Sequence, residues 1–144
     1  MTFDIFFYKI IFILIFVTMT PALLYLNQNA EMFGLTTSRE FFYCAGLLSS
    51  FLDNAPTAVA FHTVASGLKF TGELVAGVDP TILKAISMGA VYFGSMTYIG
   101  NGPNFMVKAI AEQEGVKMPS FFGYMALSLT ILLPVYALVE YFVK

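Results

Sequence analysis

One segment constrains this chain more than any other: residues 47–61, LLSSFLDNAPTAVAF, where an acid, an amide and a proline interrupt an apolar run. Flanking arms at residues 41–52 and 58–68 are each too short to cross a hydrocarbon core of ~30 Å at ~1.5 Å per residue. Two half-length helices about a polar turn predict a re-entrant helical hairpin over residues 41–68, with its tip inside a membrane. Asp53 at that depth is costly unless a partner, a cavity or a ligand compensates it, which makes it the leading functional candidate. The competing reading is that the polar residues of the turn only cap helices.

Composition supports a membrane setting. Hydrophobic residues make up 58% of the 144 and charged residues 11%, against roughly 25% charged in a soluble domain, and the mean hydropathy is +0.79. An integral, multi-pass membrane protein of the cell inner (plasma) membrane is expected, with the lipid bilayer as its first partner. Seven Lys and Arg against nine Asp and Glu leave a net charge of −2, so no basic surface exists to bind nucleic acid. The single cysteine, Cys44, excludes an intrachain disulfide and a cysteine metal cluster, and reads as a buried inert thiol. No cofactor is expected; small ions enter as cargo.

At the N-terminus Lys9 precedes an apolar core, but Asp4 cancels a positive leader region and residues 10–26 contain no small-residue cleavage site. A retained helix over residues 5–26, kinked at Pro21, is expected rather than a signal peptide. The polar stretch 27–40 belongs in water or among headgroups, with Thr37 or Ser38 capping the next helix. In the hairpin, Asn54 can cap a second arm whose first turn contains Pro56. The first arm's carbonyls and the second arm's N–H groups then meet at the tip, with Ser49, Ser50 and Thr57 adding hydroxyls. Residues 69–81 form a loop ending in the helix start Asp79-Pro80.

An interrupted helix is expected over residues 82–114, broken at 100–104 and carrying small residues (Ala85, Ser87, Gly89, Ala90, Gly94, Ser95) that allow close helix contact. Lys108 snorkels to the interface. A last crossing covers residues 121–142, with Tyr124, Tyr136 and Tyr141 as interfacial anchors. Residues 1–144 thus read as a single transmembrane domain with its termini on opposite sides. Lys9, Lys108 and Lys117 fall on one side and Arg39, Lys69, Lys84 and Lys144 on the other, so the positive-inside rule does not choose an orientation.

The two polar breaks echo each other: Asn54-Ala55-Pro56-Thr57 and Asn101-Gly102-Pro103-Asn104 share Asn-x-Pro followed by a hydrogen-bonding side chain. Paired interruptions of this kind present helix ends to a substrate near the bilayer midplane, which points to transport. His62, the only histidine, can titrate near neutral pH or serve as a neutral imidazole bonded to a neighbouring helix. An intramembrane protease would need two aspartates or a serine and histidine at a workable spacing; Asp79 lies in a loop and no such pairing appears, so no enzyme activity is expected.

The motifs SSFLDNAPT and YIGNGPNFMVKAIAE, followed by a MPSFFGYM helix, resemble the C-terminal repeat of an ion transporter superfamily member. The similarity is greatest to sodium:proton antiporter and citrate-transporter-like membrane proteins, and more distant to arsenite-efflux and dicarboxylate carriers. It implies one repeat of an inverted-repeat, all-α transporter, with an ion or substrate site formed by Asp53, Asn54 and Thr57 of the hairpin and Asn101, Gly102, Pro103 and Asn104 of the broken helix. Asp53 would hold Na+. The activity implied is Na+/H+ antiport; the alternatives are movement of a citrate-like carboxylate or other anion, by symport with cations, or a non-transporting subunit or truncated remnant. Family members carry two repeats, so a second repeat or an identical copy is the expected partner.

Overall fold

The computed structural model describes residues 2–143, with side chains described for residues 9–11 and 13–141. The charges of Asp4 and Lys144, used above for the leader and orientation readings, lie outside the described side chains. Six α-helices follow in order: α1 (Thr2–Gln28), α2 (Ser38–Ser49), α3 (Asn54–Gly67), α4 (Pro80–Phe93), α5 (Gly102–Gln113) and α6 (Phe121–Val143), with 3-10 turns at Ala30–Phe33 and Gly94–Met96. Among the described residues there is no strand, only an isolated bridge between Val75 and Val78.

Two stretches are long and apolar enough to cross a membrane, Lys9–Gln28 in α1 and Phe121–Tyr141 in α6, and both leave most of their surface uncovered by protein. Isoleucine and leucine side chains at positions 13, 14, 24, 127, 131 and 138 are all at least half exposed, as lipid-facing residues are. Pro21 and Pro134 lie inside these helices without ending them. Between them sit the short helices α2 and α3, of 12 and 14 residues.

Helices of this composition gain little from burying apolar surface against one another rather than lipid, so close packing and interhelical hydrogen bonds must hold them. The α2–α4 seam shows how. A Cβ on Gly46 would come within 2.5 Å of the Phe93 ring, and one on Gly89 would run into the Phe42 carbonyl. Phe41, Phe42, Ala45, Ala85, Ile86, Ala90 and Phe93 are buried. Phe42 meets Phe93 edge-on at 5.5 Å, and Phe93 stacks obliquely on Tyr136 of α6 at 4.7 Å. Of the small residues on α4, Ala85, Gly89 and Ala90 face this seam, whereas Ser87 is exposed on the opposite side and bonds the Leu83 carbonyl of its own helix.

The helix starts follow local chemistry. Thr37 and Glu40 form a reciprocal capping box at α2, and the Glu40 carboxylate accepts the Thr36 and Thr37 amides at 2.7 and 2.9 Å. Those backbone bonds hold its carboxyl below the usual glutamate range. Asp79 caps α4 and accepts from the Thr81 hydroxyl and amide, which lower its pKa likewise. At α3 the expectation is corrected: Asp53, not Asn54, is the N-cap, extended at φ −61°, ψ 146°, and Asn54 is the first helical residue. Arg39 and Tyr43 both bond Glu140, which puts the start of α2 beside the end of α6.

Candidate functional site

The breaks expected from the sequence pack directly on each other. The carbonyl ends of α2 and α4 and the N–H ends of α3 and α5 meet there, and Asn54 lies at the junction. Its amide is assigned with the nitrogen inward, because only that orientation gives every neighbour a complementary partner. In that orientation the nitrogen is 2.9 Å from the Ala90 carbonyl, 3.1 Å from the Gly100 carbonyl and 2.8 Å from the Ser49 hydroxyl. The side chain fits because Gly94 beside it has no Cβ. Ser49 donates to the Ala90 carbonyl at 2.5 Å.

The second break is held by matching contacts. Asn101 caps α5 by accepting the Asn104 amide at 3.0 Å, with Pro103 in the first turn, where its missing N–H is no loss. The Asn104 side chain donates to the Gly94 and Thr97 carbonyls at 3.2 and 3.1 Å. Thr97 joins the breaks: its hydroxyl donates to the Ser50 carbonyl and accepts the Gly100 amide at 3.0 Å. Ser50 in turn donates to the Gly46 and Phe93 carbonyls, both at 3.2 Å.

Asn54, Asn101 and Asn104 are thus brought together. Asp53 is exposed at the mouth of the junction, its carboxylate 3.5 Å from the Ala55 amide. Gly102 and Pro103 are exposed too, and a Cβ on Gly102 would meet open space. Thr57, one turn beyond Asp53, is 1% exposed, and its hydroxyl has no hydrogen-bond partner among the described residues. That leaves a buried polar oxygen of the kind that costs ~1–3 kcal/mol when unsatisfied. His62 lies away from the junction: its Nε2 is 3.1 Å from the carbonyl of Ala76, in the α3–α4 loop. There it supports a residue in the left-handed backbone region, at φ 52°.

Helix α6 supplies partners that sequence reasoning missed. Tyr136 bonds the Tyr92 carbonyl, Tyr124 the Ser95 carbonyl at 3.1 Å and Ser128 the Met96 carbonyl at 2.6 Å. The carbonyls freed where α4 ends are therefore satisfied by hydroxyls of the neighbouring helix. Tyr136 is buried and Tyr124 half-buried, and of the three tyrosines expected as anchors Tyr141 alone is exposed. Ser128, inside an apolar run, was the available signal, as was Thr97 just before the break. Lys108 pairs with Glu112 at 2.7 Å within α5 and sits 5.4 Å from the centre of the ring of Tyr98, which precedes the break.

Long exposed apolar helices around a polar junction of helix ends define an all-helical membrane protein. Over residues 5–143 the chain matches the model of the family described as "Putative citrate transport". It belongs to that transporter family. Comparison with curated proteins and with solved structures finds no match.

Proposed function

We propose that this chain is a secondary ion transporter, or one repeat of one, whose site lies where the tip of a re-entrant hairpin (α2–α3) meets the α4–α5 break, and that it exchanges Na+ for protons. The observation that carries this reading is the convergence of four helix ends on Asn54, with carbonyl oxygens and hydroxyls gathered from both breaks. Hard cations take such oxygen ligands, and the negative ends of α2 and α4 favour positive charge there. Asp53 adds the ionisable group at the mouth. A carboxylate holds a cation only when ionised, so cation and proton compete for it, as antiport requires. The unsatisfied Thr57 hydroxyl is a further ligand, and Asn101, Gly102, Pro103 and Asn104 form the wall contributed by α5.

A second reading, cation-coupled movement of a citrate-like carboxylate, is favoured by the family description and by the N–H ends of α3 and α5, which suit an anion. Reconstituted vesicles decide between the two: sodium-driven proton flux without citrate supports antiport, and citrate uptake that requires sodium supports the second. Either way Asp53→Asn is expected to abolish the sodium dependence while membrane insertion stays intact. Unchanged flux would remove Asp53 from the site.

The rim of the junction at Asp53, Gly102 and Pro103 is open, and α5 has no buried residue. A second repeat or a second copy of the chain covering this face is part of the proposal, and the mass of the reconstituted species in lipid reads it. The hairpin is tested by a cysteine at Ala55 in a Cys44→Ser background. Re-entrance predicts poor labelling from the side opposite Arg39 and Lys69, and full aqueous labelling there would show two complete crossings instead.

A further inference from the structure

Away from the junction, α1 packs along α3 and the C-terminal ends of the two helices meet. Asn27 stitches their ends together, donating to the Thr63 carbonyl and the Ser66 hydroxyl, both at 3.1 Å. Gly67 lets the Asn27 carbonyl approach so closely that a Cβ there would overlap it. A polar cleft of about 440 Å³ opens at this end, lined among others by Asn27, Glu31, Ser66 and Lys69. It begins where the apolar span of α1 stops, at Gln28.

Its charges are distinctive. A carboxylate and an ammonium group line one cleft, yet neither the Glu31 nor the Lys69 side chain has an ion-pair partner among the described residues. The last-turn carbonyls of α1 and α3 also reach this end and add negative potential. Along the same seam lies an apolar groove of about 120 Å³, lined by Leu26, Phe33, Phe61 and Val64 with Leu48 and Ala60. On α1, Leu26 precedes the cleft residues Asn27 and Gln28, and on α3, Phe61 and Val64 precede Ser66 and Gly67. Both helices therefore place their groove residues deeper than their cleft residues, while Phe33 and Leu35 of the α1–α2 connection line the groove as well.

The structure assigns this seam as a binding site for a phospholipid with an ethanolamine headgroup, its phosphate on Lys69, its ammonium on Glu31 and the helix-end carbonyls, and one acyl chain in the groove. Opposite charges left unpaired match a zwitterion, and the step from polar to apolar matches the order of groups in a lipid. A primary ammonium can donate hydrogen bonds to the carboxylate and carbonyls; a choline headgroup cannot, and a glycerol headgroup leaves the carboxylate without a cation.

Native mass spectrometry of the whole chain, stripped of lipid and titrated with ethanolamine, choline and glycerol phospholipids of identical acyl chains, tests the site. The ethanolamine lipid is expected to bind about tenfold more tightly than either competitor, a difference of about 1.4 kcal/mol. Glu31→Gln and Lys69→Gln should each erase that preference, and Lys69→Arg should keep it. Both positions are exposed, and unchanged helicity by circular dichroism verifies that the variants are folded. Ala60→Phe, which fills the groove, should weaken all three lipids. Equal binding of the three lipids, or a preference that survives both charge removals, would mean a non-specific annular lipid only. Displacement of the lipid by soluble glycerophosphoethanolamine at equal concentration would show a headgroup site without the acyl groove and overturn the lipid assignment.

Discussion

Replacing Gly89 with alanine is expected to loosen the whole helical core. The added methyl would strike the Phe42 carbonyl oxygen and lie 3.1 and 3.2 Å from that residue's carbonyl carbon and Cα. All three atoms are backbone, fixed in the middle of α2, so no rotamer change can make room and the helices must separate. Overpacking of this kind costs ~1–3 kcal/mol and sometimes more. It also pulls Phe42 and Phe93 apart and moves the end of α4 that carries the Ala90 carbonyl. Ser87→Ala is the control: on the exposed face of the same helix it removes one hydroxyl bonded within its own helix. Thermal unfolding in detergent should show a fall of several degrees for Gly89→Ala and almost none for Ser87→Ala. Equal stability of the two variants would mean that the α2–α4 contact does not hold the fold.

How far the fold could be read from the sequence depends on the range of the interaction concerned. A cap at Thr37 or Ser38, and Asp79 before Pro80, were recognisable because a cap and the amides it accepts from lie within three residues of each other, and the structure takes Thr37. The two interruptions stood out because Asn-x-Pro inside an apolar run has few other uses. Which residue of Asp53-Asn54 caps α3 was not legible. Both types cap equally well, and the choice is made by the Ala90 and Gly100 carbonyls, which take the Asn54 amide from more than thirty residues away. Tyrosine at a membrane boundary is a general expectation, and Tyr141 is exposed. Tyr124 and Tyr136 are instead recruited by carbonyls that become free only because α4 stops where it does. Thr97 was passed over for the same reason: its partner, the Ser50 carbonyl, becomes its neighbour only once the breaks are packed together.

Gly94→Ala is expected to spare the fold and remove the proposed function. Its methyl would overlap the Asn54 amide and lie 3.1 Å from the Gly100 carbonyl. Unlike the obstacle at Gly89, the nearest group is the end of a side chain, which can swing away. The accommodation that preserves packing is therefore also the one that withdraws Asn54 from the Ala90 and Gly100 carbonyls. Displacing one positioned group by about an ångström can cost on the order of a hundredfold where several groups act on one site, and sodium-dependent exchange should fall by about that factor with the unfolding temperature nearly unchanged. Asn54→Ala removes the same amide without the clash and should match it. In the double variant the methyl at residue 94 has no amide to displace, so its loss should equal that of Asn54→Ala alone, the non-additivity expected of two changes acting through one contact. If the two losses multiply instead, Gly94 acts through the Gly100 carbonyl or the turn itself, and the role given to Asn54 at the junction is wrong.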